Sequence, residues 1–254
     1  KHMPNLPTHI HLAHRVAEEL DWGFVHDHLG SFFLGSTTPE IRAMTKWDRE
    51  RTHFTPLSVD TIGAGARRMF QLHPKLADSK SQNPETRAFV LGYVSHLVAD
   101  EVWITTMYRP HFGTGNQITR DEVEAHIWDR ALQLDMDRQV QEGDAAVIGA
   151  RDTISESKSF VDMEFLDAEL IQEWQEWVAR FMAWDFTWDR LKRALNRMFR
   201  DNDDVQQVVE LFVKQIPGSM DRVYAKIPQK MITAYQDRVL EETLAQVREY
   251  LVEA

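Results

Sequence analysis

His96 and Asp100 stand one helical turn apart in the run Phe89-Val90-Leu91-Gly92-Tyr93-Val94-Ser95-His96-Leu97-Val98-Ala99-Asp100-Glu101-Val102-Trp103. Gly92 lies one turn earlier, so Gly92, His96 and Asp100, at i, i+4 and i+8, share one side of a helix. Leu91, Val94, Leu97 and Val98 cover the other faces, and a helix apolar nearly all round is a buried one. An imidazole and a carboxylate in that setting must find partners, because an unpaired buried charge is too costly to keep. Two arrangements supply them: a metal ion bound by both, or a His–Asp hydrogen bond closed within the core. The glycine on the same stripe suits the close approach of another backbone or of a ligand.

Helices must position this pair. Residues 85–107 read as one long central helix that ends before Pro110, since a proline disfavours helix in the residue before it. Thr8 reads as the N-cap of an earlier helix running to about residue 20. Thr38-Pro39-Glu40 reads as the start of a turn with proline at its first helical position. Residues 57–72 have helical periodicity, and 73–84 form a polar connector. A loop is expected over 110–119 and a helix over 120–141, stopped by Gly143. After polar punctuation at 155–159, helices follow over roughly 166–184, 187–200, 205–216 and 229–252. With no strand alternation and no internal repeat, the expectation is an all-α fold. It is a single compact multi-helix bundle of about eight to ten helices spanning residues 4–254.

Composition sets the outer limits. The chain has 254 residues, 43% hydrophobic and 27% charged, as in ordinary globular proteins. With 29 Lys and Arg against 40 Asp and Glu the formal net charge is −11. No block of consecutive basic residues stands out, so a non-specific grip on nucleic acid is not expected. The absence of cysteine rules out disulfides and cysteine zinc sites, and fits a reducing compartment. No apolar run is long enough to span a bilayer, and no basic-then-apolar leader is seen. Lys1 and His2 read as vector-derived residues ahead of Met3, and the expected location is cytoplasmic. Nine of the eleven histidines fall between His9 and His111, which places the chemistry in the first half and packing in the second.

Four stretches together resemble the zinc-dependent phospholipase C family, which is related in fold to bacterial phospholipase C and to the S1/P1 nucleases. They are Thr8-His9, Phe33-Leu34-Gly35-Ser36 with Pro39-Glu40, Thr52-His53-Phe54, and Leu91 through Asp100. The resemblance covers roughly residues 4–140, with 141–254 as a C-terminal helical extension packing on that metal-site core. It implies a helical fold in which His and Asp side chains from several helices meet at a zinc cluster of two or more ions. His9, His53, His96 and Asp100 match family histidines and an aspartate. Glu40 stands where the family usually has Asp, and His126, followed by Asp129 and Asp135, lies where a further histidine is common.

The implied ligands are thus His9, Glu40, His53, His96, Asp100 and His126. Imidazole and carboxylate suit Zn²⁺ and other divalent ions. Asp100 is the expected bridge between ions, and Glu40 a ligand or the general base acting on a water. The implied activity is phospholipase C-like hydrolysis of a small or lipid phosphodiester. The alternative is a non-catalytic helical binding or scaffold protein with a structural or degenerate metal site. An HD-type phosphohydrolase is set aside, because adjacent His-Asp occurs only at His26-Asp27, without an apolar helical setting. His11, His14, His26 and His28 find no supported ligand spacing. His73 is expected to be exposed, and His111 is a minor candidate to close over the site from its loop. Trp174, Trp177, Phe181, Trp184 and Trp188 form an aromatic stripe read as packing over the N-terminal core, with a lipid- or ligand-facing wall or a subunit interface as the other readings.

Overall fold

The computed structural model describes residues 5–78, 80–157, 160–199 and 202–251. Helix α1 (Leu6–Leu20) begins behind Asn5 with Pro7 in its first turn, where a missing N–H costs nothing. Thr8 is therefore not the N-cap. It sits inside the first turn, and its hydroxyl and amide both donate to Asp137 Oδ1, at 2.6 and 3.0 Å. Helix α2 (Leu29–Thr37) is buried from Gly30 onward. It runs into a 3₁₀ turn at Thr38–Ile41 that holds Pro39 and Glu40. Short turns at Arg42–Thr45 and Glu50–His53 follow. Helix α3 covers only Ala64–Leu72, shorter than the expected 57–72. Gly63 takes a left-handed conformation (φ 82°) and its N–H donates to Glu101 Oε2 at 2.6 Å, so the preceding segment is tied to Glu101 and does not continue the helix.

Helix α4 (Pro84–Val102) is the central one. Asn83 caps it, its side chain accepting the Thr86 N–H at 2.7 Å, which relieves one orphan donor of the first turn. Beyond Val102 the chain does not stop but widens into a π-helical turn, Trp103–Tyr108, and closes with Arg109–His111. Helices α5 (Glu122–Gly143) and α6 (Ala145–Glu156) are capped by Asp121 and Asp144. Then come α7 (Ala168–Met182), α8 (Asp189–Met198), α9 (Asp203–Lys214), α10 (Gly218–Lys226) and α11 (Gln229–Tyr250). Of these, α6 and α10 were not expected. Pro4, Lys158, Ser159, Arg200 and Val252, which bound several expected segments, lie outside the described residues. Among the described residues there is no strand, only an isolated bridge between Met163 and Leu166. The fold is all-α.

One apolar core runs through the bundle from Leu6 to Leu251, with α1, α2 and α11 packed around α4. The contact of α2 with α4 is set by two glycines. A Cβ on Gly92 would lie 1.9 Å from the Phe32 carbonyl oxygen, and one on Gly35 would lie 2.0 Å from that of Phe89. Backbone meets backbone there, so the glycine on the His96–Asp100 stripe admits a neighbouring helix. The aromatic stripe is largely core. On α7, Trp174 stacks on Trp177 at 4.8 Å and Trp177 on Phe181 at 5.3 Å, and the fully buried Trp174 donates its indole N–H to Thr37 Oγ1 at 3.1 Å. Trp184 departs from this and is 57% exposed, while Trp188 pairs edge-on with Phe186.

Candidate metal centre

The close α2–α4 contact brings the Ser36 carbonyl to 2.7 Å from His96 Nδ1. Nδ1–H must donate to it, which leaves Nε2 as the bare lone pair of the neutral ring. That Nε2 is buried and has no hydrogen-bond partner. His53 enters from the turn Glu50–His53, with a hydroxyl in place of the carbonyl. Its Nδ1 lies 3.0 Å from Thr52 Oγ1, and its buried Nε2 also lacks a hydrogen bond. Glu40 enters from the 3₁₀ turn and Asp100 from α4. One ligand atom from each of Glu40, His53, His96 and Asp100 lies within 4.8 Å of the others, so the group could hold a metal ion.

The separations leave room for a cation between these groups. His53 Nε2 is 3.3 Å from Asp100 Oδ2 and 3.7 Å from Glu40 Oε1, at or beyond the long end of N–H···O hydrogen bonds. Two buried imidazole nitrogens facing the buried Glu40 carboxylate and the partly exposed Asp100 carboxylate are donor types that suit a divalent ion. Burial lowers the His96 pKa well below its ordinary value, and the neighbouring His9 pushes it further. Burial lowers that of His9 too, against the pull of Asp100. Burial is the strongest single influence on Asp100 and works against its ionisation, but the Arg49 guanidinium, the His53 contact and the charges of His96 and His53 together outweigh it and hold the carboxyl well below the usual range. Neutral imidazoles beside an ionised carboxylate are the ligand-competent forms.

His9 joins from α1. Its ring stacks on His96 with centroids 3.7 Å apart, and its Nε2 lies 3.6 Å from Asp100 Oδ1. Asp100 therefore turns one oxygen toward His53 and the other toward His9. His126 is not in the four-residue group. It packs edge-on against Phe199 and lines a cavity of about 260 Å³ that opens over the centre. Glu40, Asp100 and His9 line the same cavity, with Arg49, Trp103, Ile104, Tyr108 and Asp129 completing much of its wall. The π-helical turn supplies Trp103, Ile104 and Tyr108, none of which the sequence marked.

The other histidines are occupied elsewhere. His11 meets Asp144 at 2.5 Å, His26 meets Asp21 at 3.3 Å and His28 meets Glu85 at 3.7 Å. His14 lies 3.8 Å from Glu18. His73, expected to be exposed, is half-buried against Phe54 and Phe165. His111 is not part of the cavity wall. Sequence reasoning missed Arg49, which bonds Asp100 Oδ2 at 2.8 Å. Its signal was present: Arg49 precedes His53 by four residues, one helical turn, so both reach the same carboxylate oxygen. No protein-family model, no curated protein and no solved structure matches this chain.

Proposed function

We propose that this protein is a metal-dependent phosphoesterase, hydrolysing a phosphodiester in the manner of the phospholipase C type that its four sequence motifs resemble. The observation that carries the reading is the pair of buried Nε2 atoms of His53 and His96, neither hydrogen-bonded, beside Glu40 and Asp100, whose carboxylates line a cavity. His53, His96 and Asp100 would hold the ion, a His₂-carboxylate set that suits zinc. A bound divalent ion supplies Lewis acidity toward a phosphoryl oxygen and lowers the pKa of a water. Glu40 faces the cavity where His53 and His96 do not, so its carboxylate is placed to take a proton from that water. Ser36 and Thr52 fix the ring orientations of His96 and His53. His9 and the second Asp100 oxygen are the groups for a second ion.

A second reading has one observation in its favour. The 2.8 Å contact with Arg49 already gives Asp100 a partner, which suits a binding or scaffold protein whose metal site is structural or lost. Elemental analysis of protein purified without chelator, with hydrolysis of bis(p-nitrophenyl) phosphate, separates the two. The enzyme reading expects bound zinc-like metal, lost in His96→Ala and Asp100→Ala, together with metal-dependent hydrolysis. A folded wild type that takes up no zinc, or one that holds zinc and hydrolyses neither this ester nor p-nitrophenylphosphorylcholine, overturns it.

A further inference from the structure

Arg49 is nine-tenths buried, with its side chain 10% exposed, yet it lines the cavity above the metal centre. One guanidinium nitrogen donates to Asp100 Oδ2. Its Nε is buried and has no hydrogen-bond partner. A guanidinium is a rigid fork of five donors that cannot shed its proton, so a cavity-lining guanidinium hydrogen-bonded only to Asp100 keeps donors for a further acceptor. Among ligands of such a cavity, a phosphoryl group offers acceptor oxygens in the matching planar arrangement. We propose that Arg49 binds the phosphoryl oxygens of the ligand, an assignment that rests on the phosphoesterase reading of the site.

The geometry also couples this role to the metal. Arg49 and His53 both address Asp100 Oδ2, at 2.8 and 3.3 Å. A cation held by Asp100 would share that carboxylate with the guanidinium. Arg49 is held for the task by its backbone: its carbonyl accepts the His53 N–H at 2.8 Å, so the turn that presents the imidazole presents the guanidinium as well. Were Arg49 only a counter-ion for Asp100, its loss would change metal binding and leave anion binding alone.

The test is calorimetric titration of inorganic phosphate into the full chain, with and without zinc, for wild type and Arg49→Gln, alongside metal content by elemental analysis. The expected result is unchanged metal stoichiometry in Arg49→Gln, with phosphate binding to the zinc-loaded protein weakened by about tenfold or more. Phosphate affinity equal to wild type, or no phosphate binding by either protein, overturns the assignment. A wild type without metal whose phosphate binding still depends on Arg49 sinks the metal reading and leaves this one standing. Should Arg49→Gln fail to fold, Arg49→Lys decides. It keeps a positive charge beside Asp100 without the fork, so phosphate should weaken by about three- to tenfold, and an unchanged affinity overturns the proposal.

Discussion

Replacing Gly92 by alanine tests whether the α2–α4 contact builds the centre. The new Cβ would lie 1.9 Å from the Phe32 carbonyl oxygen, while ordinary contact begins near 3.4 Å, so the helices must part by about 1.5 Å locally. The obstructing atoms are backbone, with a second one, Ser36 N, at 2.9 Å, and no side-chain rotation can clear them. Overpacking costs typically about 1–3 kcal/mol, and rigid backbone on both sides argues for the upper end, about 3 kcal/mol. In a chain of this size that lowers the melting temperature by about 6–12 °C. The same separation pulls the Ser36 carbonyl from His96 Nδ1, and loss of such a supporting bond weakens metal by about 10- to 100-fold. Guanidinium denaturation followed by circular dichroism reads the first effect, and competition with a chelating dye the second. Gly149→Ala on α6 is the control: nothing lies within 4 Å of the added Cβ, so it should stabilise by about 0.5–1 kcal/mol. A Gly92→Ala protein as stable as wild type, with unaltered metal affinity, would refute the reasoning.

Glu40→Gln should keep metal at saturating zinc while hydrolysis falls by about 10²- to 10⁴-fold; loss of the metal instead would make Glu40 a ligand and not the base. Trp174→Ala removes a fully buried ring and should cost about 3–5 kcal/mol in chemical denaturation, and a much smaller cost would mean the stripe is peripheral. Burial raises the Asp137 carboxyl to about 7, against the Thr8 hydrogen bonds and the positive charges of Arg190 and Arg130 that favour its ionised form. The folded state thus keeps a proton that the unfolded chain releases from about pH 4 upward, so this group's contribution is fully present below that point and is lost as pH rises through about 7. Asp137→Asn should flatten that decline in denaturation curves taken at about pH 5 and about pH 8. A slope identical to wild type would remove Asp137 as its source.

The fold class and the His96–Asp100 pair were legible because they rest on short-range regularities, whereas Glu40 and His53 came only with the family resemblance. Helical periodicity survives burial, and the i, i+4, i+8 spacing of Gly92, His96 and Asp100 constrains which residues can face one neighbour. What the spacing left open was the identity of that neighbour, since a glycine admits a backbone or a ligand equally; the crossing of α2 answers it. The start of α1 was misread because Thr8 has two possible uses, and only the three-dimensional position of Asp137 selects between them. Arg49 escaped notice because its one-turn spacing from His53 gains meaning only from a shared partner 51 residues away. His126 shows the converse: a chain-order match placed it on the cavity wall beside Phe199, apart from the four-residue group. The helix 145–156 was overlooked although Asp144 stood in capping position, its side chain accepting the Ala146 N–H.

The widened turn at Trp103–Tyr108 carries a consequence for how such a site can diversify. A π turn holds one more residue than the α turn it replaces, so side chains beyond it are rotated relative to those before it. Asp100, at the floor of the cavity, and His96 beneath it belong to the upstream register, and the wall residues Trp103, Ile104 and Tyr108 to the turn itself. Floor and wall share one helix yet are geometrically unlinked. Changes of bulk in the turn would therefore reshape what the cavity admits while leaving the His96 and Asp100 positions upstream in place.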